Sequence, residues 1–341
     1  MDTRDTCWGW HPEGPCRFAQ PAWLLRLDGA DALRFLHGQS SQAIALAPPG
    51  SALATCLISP TARMRALATV LVDEQGAWLL IEAGDPEAVR TALDRVLFPA
   101  DQVQLGALQP ALLITPLGDA DLLAEGQAQA EPGRWQPLSA SAWLVENQLL
   151  LLPAETDHPL MAHRRALSAL EQERWRIQQG RPAAPGELND STNPFELGLA
   201  PRVSLSKGCY VGQETLAKLA TYNGVKQQLR RWCWPQQDPG AAAADPDAAP
   251  LRVGQTLWSP SGDKAGTITS VLQLPQSDGP LWIGLALVRR NALAFDQLLA
   301  GEPTAAAASA SADPRHRLTL SVPEAFVAPP PPAGSTDKAQ P

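Results

Sequence analysis

The sequence predicts an α+β protein that ends in a small β-barrel, and three observations carry that reading. Helical and strand-like stretches, separated by hairpin signals, are interspersed over the first two thirds of the chain. No GxGxxG fingerprint, Walker A loop or HExxH pair is present, so a parallel nucleotide-binding sheet is not indicated. After Gly224 the texture turns to short strands punctuated by Gly254, Gly262, Gly266 and Gly284, the spacing of a small barrel.

Ala22 to Leu27 reads as a strand, and Asp28-Gly29-Ala30-Asp31 turns into a helix through Leu33, Phe35 and Leu36. Ala66 to Val72 and Ala77 to Glu82 predict a hairpin about Asp73-Glu74-Gln75-Gly76. Asp85-Pro86-Glu87 starts a helix with a capping carboxylate, proline at the first helical position and an acid in the first turn. Its apolar face, Val89, Leu93, Val96 and Leu97, is core. Ala111 to Thr115 is a strand, and Ala142 to Leu152 a hairpin turning near Glu146-Asn147. His158 to Ile177 reads as one helix, broken by Gly180 to Pro185. The barrel strands are Val225 to Trp234, Leu251 to Trp258, Lys264 to Leu274 and Leu281 to Val288, with Arg317 to Val322 as the last. An alanine- and proline-rich insertion, Pro235 to Pro250, reads as a flexible loop, and the rest of the tail from Gly301 as disordered.

With 341 residues the chain is long enough for two or three domains. No run approaches the ~20 apolar residues of a membrane span. Met1 to Arg17 carries Asp2, Asp5 and Glu13 and no apolar signal core, so a cytoplasmic protein is expected; a monomer is expected as well. The cysteines (Cys7, Cys16, Cys56, Cys209 and Cys233) are odd in number and lack CxxC spacing; metal ribbons and disulfide frameworks are not expected. A net charge of −8 argues against a general nucleic-acid binder, and direct tRNA binding is not expected. The charge is uneven, however: Arg202, Lys207, Lys218, Lys226, Arg230 and Arg231 face Glu214 alone between Ala200 and Arg231. That strip is either a solvated face or an anion site.

The most informative stretch is Lys207-Gly208-Cys209-Tyr210-Val211-Gly212-Gln213-Glu214. Lys207 can hold a Cys209 thiolate by charge, and a helix opening at Gly212 would add the pull of its unpaired N–H groups. Gly208 and Gly212 let the backbone turn and approach a ligand closely. Tyr210 reads as packing, and Glu214 as a cap for the following turn or an orienter of Lys207. The alternative is a buried cysteine on a tight strand-to-helix turn. Trp23 and Trp175 lie beside turns, where an exposed indole can stack on a planar heterocycle.

This octapeptide resembles the signature of the YgfZ family, folate-binding relatives of the glycine-cleavage T-protein that include the mitochondrial Iba57 proteins. The likeness extends from about Trp23 to Ala294. Gly29-Ala30-Asp31-Ala32-Leu33-Arg34-Phe35-Leu36-His37-Gly38-Gln39 resembles the family's first helix. Arg176-Ile177-Gln178-Gln179-Gly180-Arg181-Pro182, Glu187-Leu188-Asn189 and Asn193 to Leu199 are similar to the segment before the signature. Val253-Gly254-Gln255, Ala265-Gly266-Thr267-Ile268 and Ala286 to Arg290 resemble its barrel.

The resemblance implies a three-domain, ring-like GcvT/YgfZ architecture: a first α+β folate-binding domain at 20–115, a second carrying the signature at 116–223, a barrel at 224–325 with its insertion at 235–250, and a disordered tail at 326–341. Tetrahydrofolate, or a one-carbon-substituted folate, would sit between them, on Trp175, Arg176, Gln178 and Trp23. Lys207 would contact the folate's glutamate tail or serve the thiolate. The implied role is assembly or maintenance of iron–sulfur enzymes, acting through Cys209, with client or assembly proteins as partners and tRNA modification affected indirectly; no metal is expected on the chain itself. The alternative is an aminomethyltransferase or other one-carbon transferase. T-proteins carry an aspartate where this chain has Ala66 or Leu67, and a glutamate where it has Gln178, which leaves proton handling without a carboxylate and predicts a weaker grip on folate.

Overall fold

The stretch Cys16–Asp28 forms the central strand, β1, of the computed structural model, which describes residues 7–118, 131–153, 158–235, 250–276, 279–301 and 316–330. Helix α1 (Ala32–Gln39) follows, then β2 (Ala52–Ile58), β3 (Met64–Val72), β4 (Gly76–Gly84), helix α2 (Pro86–Asp94) and the long β5 (Gln104–Leu117). Short strands β6 (Trp135–Pro137), β7 (Ala142–Val145), β8 (Gln148–Leu151) and β9 (Arg165–Ala166) precede helix α3 (Ala169–Gln179). The order β2-β3-β4-β1-β5-β8-β7-β6 is antiparallel throughout, with β9 added parallel to β1. β1 therefore joins what the sequence divides into two domains.

Alternation along β1 sets the two faces. Leu25 and Leu27 pack with Phe35 and Leu36 of α1 and with Val89 and Leu93 of α2. Ala22 and Leu24 pack on the other face, with Trp143 and Leu150. A sheet covered on both sides explains the nearly continuous apolar run of β3.

Helix α4 (Gln213–Thr221) leads into the barrel: β10 (Gln227–Pro235), β11 (Thr256–Trp258), β12 (Lys264–Leu274), β13 (Leu281–Arg289), β14 (Gln297–Ala300) and β15 (His316–Ser321), closed in the order β10-β13-β12-β11-β14-β15. Trp232 fills it, fully buried, its indole N–H on the Leu285 carbonyl at 3.1 Å. Gly284 makes room: a Cβ there would collide with the Trp232 ring and the Ser270 carbonyl.

The helix expected over His158 to Ile177 is shorter. Only Ala169–Gln179 is α-helical, because Ser168 and Glu171 form a reciprocal capping box that fixes its start. Upstream, Pro159–Met161 is a single 3₁₀ turn and Arg165–Ala166 pairs with Cys16 and Arg17. Helix α2 stops at Asp94, so Val96, expected on its apolar face, lies outside it and is exposed. Residues expected to begin a disordered tail are bonded: Val327 N–H donates to the Gly198 carbonyl, and Phe326 packs on the core. Residues 236–249 of the loop expected at 235–250, and the tail beyond 330, lie outside the described residues.

One cysteine expectation is overturned. Cys7 and Cys233 form a disulfide, with Cα atoms 6.4 Å apart across 226 residues of sequence. No local spacing announces such a pair, since it depends on the chain's start returning to strand β10. Among the described residues no helix is long and apolar enough to cross a membrane, and no three His, Cys, Asp or Glu side chains gather as a metal site.

Candidate functional site

The signature loop hangs on the carboxyl end of α1. Lys207 is buried, and its ammonium donates to three main-chain oxygens: His37 at 2.5 Å, Ser40 at 2.6 Å and Gln42 at 2.7 Å. Two of these oxygens belong to the last turn of the helix and its C-cap, where a cation is favoured. Burial pushes the Lys207 ammonium down to about 7, and its charge lies 4.2 Å from the Tyr210 ring centroid. All three N–H donors are thereby engaged, so the expected ion pair with a Cys209 thiolate is not made.

Around this anchor the loop is held at several points. Tyr210, buried as packing, donates its hydroxyl to the Ser204 carbonyl, Val211 N–H reaches the Gly38 carbonyl, and Gln213 Nε2 reaches the Lys207 carbonyl. Gly212, at φ +80, opens α4, and a Cβ there would press on Ile58 and the Ser59 carbonyl. Gly208 meets nothing within 4 Å, and Cys209 is exposed beside it. Glu214 pairs with Lys218 one turn on, at 2.6 Å, rather than with Lys207. The loop is thus a fastened platform with a free thiol at its tip. Cys56, by contrast, is fully buried, and burial pushes its thiol up to about 12.

The platform rests on the first sheet through Arg202. Its guanidinium donates to both Glu82 oxygens at 3.0 Å and to the Ala68 carbonyl at 3.1 Å, and its own carbonyl accepts from Ser41 Oγ. Burial raises the Glu82 carboxyl, but the Arg202 charge and hydrogen bonds outweigh it and hold the group below its ordinary value.

Helix α3 carries the other expected residues on different faces. Gln178 and Trp175 line a cavity of about 380 Å³ together with Trp10, His11, Pro12, Gly14, Leu117 and Gly118. Gln178 is 2% exposed; its Nε2 donates to the main-chain oxygens of Trp8 at 2.9 Å and Trp10 at 3.1 Å. Its Oε1 has no hydrogen-bond partner among the described residues. Trp175 packs on Phe18 with ring centroids 4.6 Å apart, and Arg181 lies 4.7 Å from its ring centroid.

Arg176 turns instead toward a larger cavity of about 710 Å³ between the second region and the barrel. Its guanidinium is already engaged by Glu173 at 2.7 and 2.8 Å, the Arg181 carbonyl, Ser270 Oγ and the fully buried Glu187. Trp23 lines neither cavity and packs against the core under α1 and α2. Cys209 lines neither. The smaller cavity is the better candidate, because Gln178, whose buried Oε1 has no partner among the described residues, is one of its wall residues, whereas Arg176 of the larger one is already engaged by Glu173 and Glu187. The amino-terminal segment was not foreseen as part of a site; its Trp8-Gly9-Trp10-His11 cluster was the one available signal.

No protein-family model matches the chain. It is 27% identical over 290 residues to a chloroplastic protein of Arabidopsis thaliana provisionally named a transferase, covering 79% of this chain but 63% of that protein's length. It is 26% identical to the mitochondrial iron–sulfur cluster assembly factor IBA57 of Mus musculus, over 79% of this chain and 76% of that one. A shorter match, 35% over 100 residues, covers 28% of this chain and 26% of the tRNA-modifying protein YgfZ of Sodalis glossinidius. The fold matches the glycine cleavage system aminomethyltransferase T of Bartonella henselae with a TM-score of 0.68, covering 92% of this chain and 86% of that one at 16% identity. The architecture is therefore that of the T-proteins. Within it, the chain is similar in sequence to YgfZ- and IBA57-type proteins.

Proposed function

We propose that this chain is a tetrahydrofolate-binding accessory protein for the assembly or maintenance of iron–sulfur enzymes. Effects on tRNA modification then arise through such an enzyme rather than by direct RNA contact. The names of its mouse and Sodalis relatives support the cluster and tRNA roles. The observation that carries the folate part is the 380 Å³ cavity lined by Gln178, Trp175 and Trp10, together with the buried Gln178 Oε1, which has no partner among the described residues. A pterin fits that donor set: its amino-pyrimidinone edge offers N–H groups to Oε1, and its flat ring suits an indole wall. The volume lies within the ~300–1,000 Å³ usual for small-molecule sites. Bound folate would supply a one-carbon carrier.

Cys209 is the chemical handle. A [4Fe–4S] cluster takes about four cysteine ligands, so a single exposed thiol acts by thiol exchange or as a transient ligand shared with a client protein. Its exposure on a rigid loop suits contact with a partner. The protein works as a monomer in the cytoplasm on this reading. Titration with 5-formyltetrahydrofolate, followed by tryptophan quenching, tests the folate part: saturable quenching in the wild type and its loss in Trp175→Ala are expected. Full cluster-enzyme activity in a deletion strain carrying Cys209→Ser would overturn the thiol part.

A second reading, a one-carbon transferase, is favoured by the aminomethyltransferase fold and by the provisional name of the Arabidopsis relative. Against it, Ala66 and Leu67 are buried in β3 where T-proteins hold their aspartate, and neither can carry a proton. Folate-dependent turnover of an aminomethylated carrier protein would decide for this reading.

A further inference from the structure

The amino-terminal segment from Cys7 to Gly14 is attached to the body of the molecule by a disulfide, by cation–ring contacts and by hydrogen bonds. Cys7 is bonded to Cys233 of β10, with both residues almost fully buried. Arg231, two residues before Cys233 on the same strand, lies 4.6 Å from the Trp8 ring centroid and donates to the Gln178 carbonyl at 2.9 Å. Arg174 lies 4.9 Å from the ring centroid of Trp10. The segment does two things for the cavity of Gln178. Trp10, His11 and Pro12 are part of its wall. The carbonyls of Trp8 and Trp10 hold both amide N–H groups of Gln178, which fixes Oε1 as the remaining acceptor.

We propose that the Cys7–Cys233 disulfide is a redox latch that keeps this wall in place, so that ligand binding in the cavity depends on the thiol–disulfide state of the chain. The identity of the ligand as a folate rests on the function proposed above. With the disulfide closed, the wall is formed and Gln178 is oriented. A dithiol reductant opens it: one thiolate attacks a cysteine sulfur, the S–S bond breaks, and the second thiol resolves the mixed disulfide. Two electrons and two protons pass to Cys7 and Cys233, and the reductant leaves as its own disulfide. Because both sulfurs are buried, attack waits on local opening of the segment, so reduction is slow in the native protein. Once the tether is cut, the segment is held only by its peptide link into β1 and by non-covalent contacts. The wall and the orienting carbonyls are then lost together. A long-range disulfide of this kind in a reducing compartment is a sensing bond rather than a permanent staple.

The test uses the full chain in three forms: oxidised wild type, wild type reduced to completion with dithiothreitol, and Cys7→Ser. Peptide mapping without reductant identifies the bond, 5-formyltetrahydrofolate affinity reads the cavity, and amide hydrogen exchange reads the segment without ligand. The oxidised form is expected to bind about tenfold more tightly than the other two, a difference of ~1.4 kcal/mol. Reduction is expected to speed exchange over residues 8–12, and Cys7→Ser to be insensitive to reductant. Equal affinity in all three forms overturns the latch and leaves the folate reading standing. Free thiols at Cys7 and Cys233 after treatment with diamide also overturn it. Faster exchange on reduction, with no folate binding in any form, supports the latch and overturns the folate reading.

Discussion

Gln178 holds Trp8 by its backbone: the Gln178 Nε2 donates to the Trp8 carbonyl at 2.9 Å, which ties helix α3 to the start of the chain. The same amide donates to Trp10 and leaves its buried oxygen without a partner among the described residues. A glutamate at this position would set a carboxylate against two carbonyl oxygens with no N–H to offer them. The amide is therefore the side chain that this amino-terminal segment requires.

Gln178→Leu removes both donors and the acceptor while keeping the bulk. Leaving the Trp8 and Trp10 carbonyls without donors costs about 1–3 kcal/mol of stability, read as a lower thermal midpoint. Folate affinity falls by roughly tenfold or more as the oriented acceptor disappears. An unchanged affinity would place the ligand elsewhere.

Lys207 is expected to matter through the loop it fastens. Lys207→Met leaves three carbonyls without a donor and lowers stability by about 2–3 kcal/mol. The alkylation rate of Cys209 should change with it, because the loop that presents the thiol loses its anchor. A variant with wild-type melting and wild-type alkylation would show that the loop stands without this contact.

Thiol accessibility divides the cysteines sharply. Cys209 is exposed, Cys16 and Cys56 are buried, and Cys7 and Cys233 are paired. Native protein is expected to yield one fast-reacting thiol with an aromatic disulfide reagent. Denaturation without reductant should yield the three free cysteines, Cys16, Cys56 and Cys209. A second fast thiol in the native state would contradict the burial of Cys16 or Cys56.

Glu82 ties the signature segment to the first sheet, and its carboxyl is held below the ordinary range. A depressed carboxyl stabilises the fold above the unfolded value, ~4.3, and that contribution is lost as pH falls through the folded value. Glu82→Gln leaves Arg202 without its counter-charge and costs roughly 3 kcal/mol near neutral pH, the low end for breaking a buried pair. The gap between wild type and variant should be full well above the unfolded value and narrow as pH falls below ~4.3 and through the depressed folded value. Parallel stability curves across that window would contradict the pairing.

The parts of the fold that local signals decide are legible in the sequence. The start of α2 follows from Asp85, whose side chain accepts from the Glu87 and Ala88 N–H groups. The opening of α4 at Gly212 follows from a glycine ahead of an apolar periodic run. The joint placement of Trp175 and Gln178 follows from their spacing of three on one helix. Arg176, between them, points elsewhere for the same reason. What sequence cannot display is the partner of each polar group across the fold. The acceptors of Lys207 come from residues 37–42, some 165–170 positions away, so its charge read more naturally as a companion to nearby Cys209. Cys7 and Cys233 were unreadable as a pair on the same ground.

A reduced folate is proposed to occupy the cavity between helix α3 and the amino-terminal segment. The most direct measurement is a crystal structure of the full, oxidised chain with 5-formyltetrahydrofolate. Pterin density is expected against Trp175 and Trp10, with its amino-pyrimidinone edge donating to Gln178 Oε1. Folate density in the larger cavity beside Arg176 and Glu187, with the smaller one empty, would contradict it.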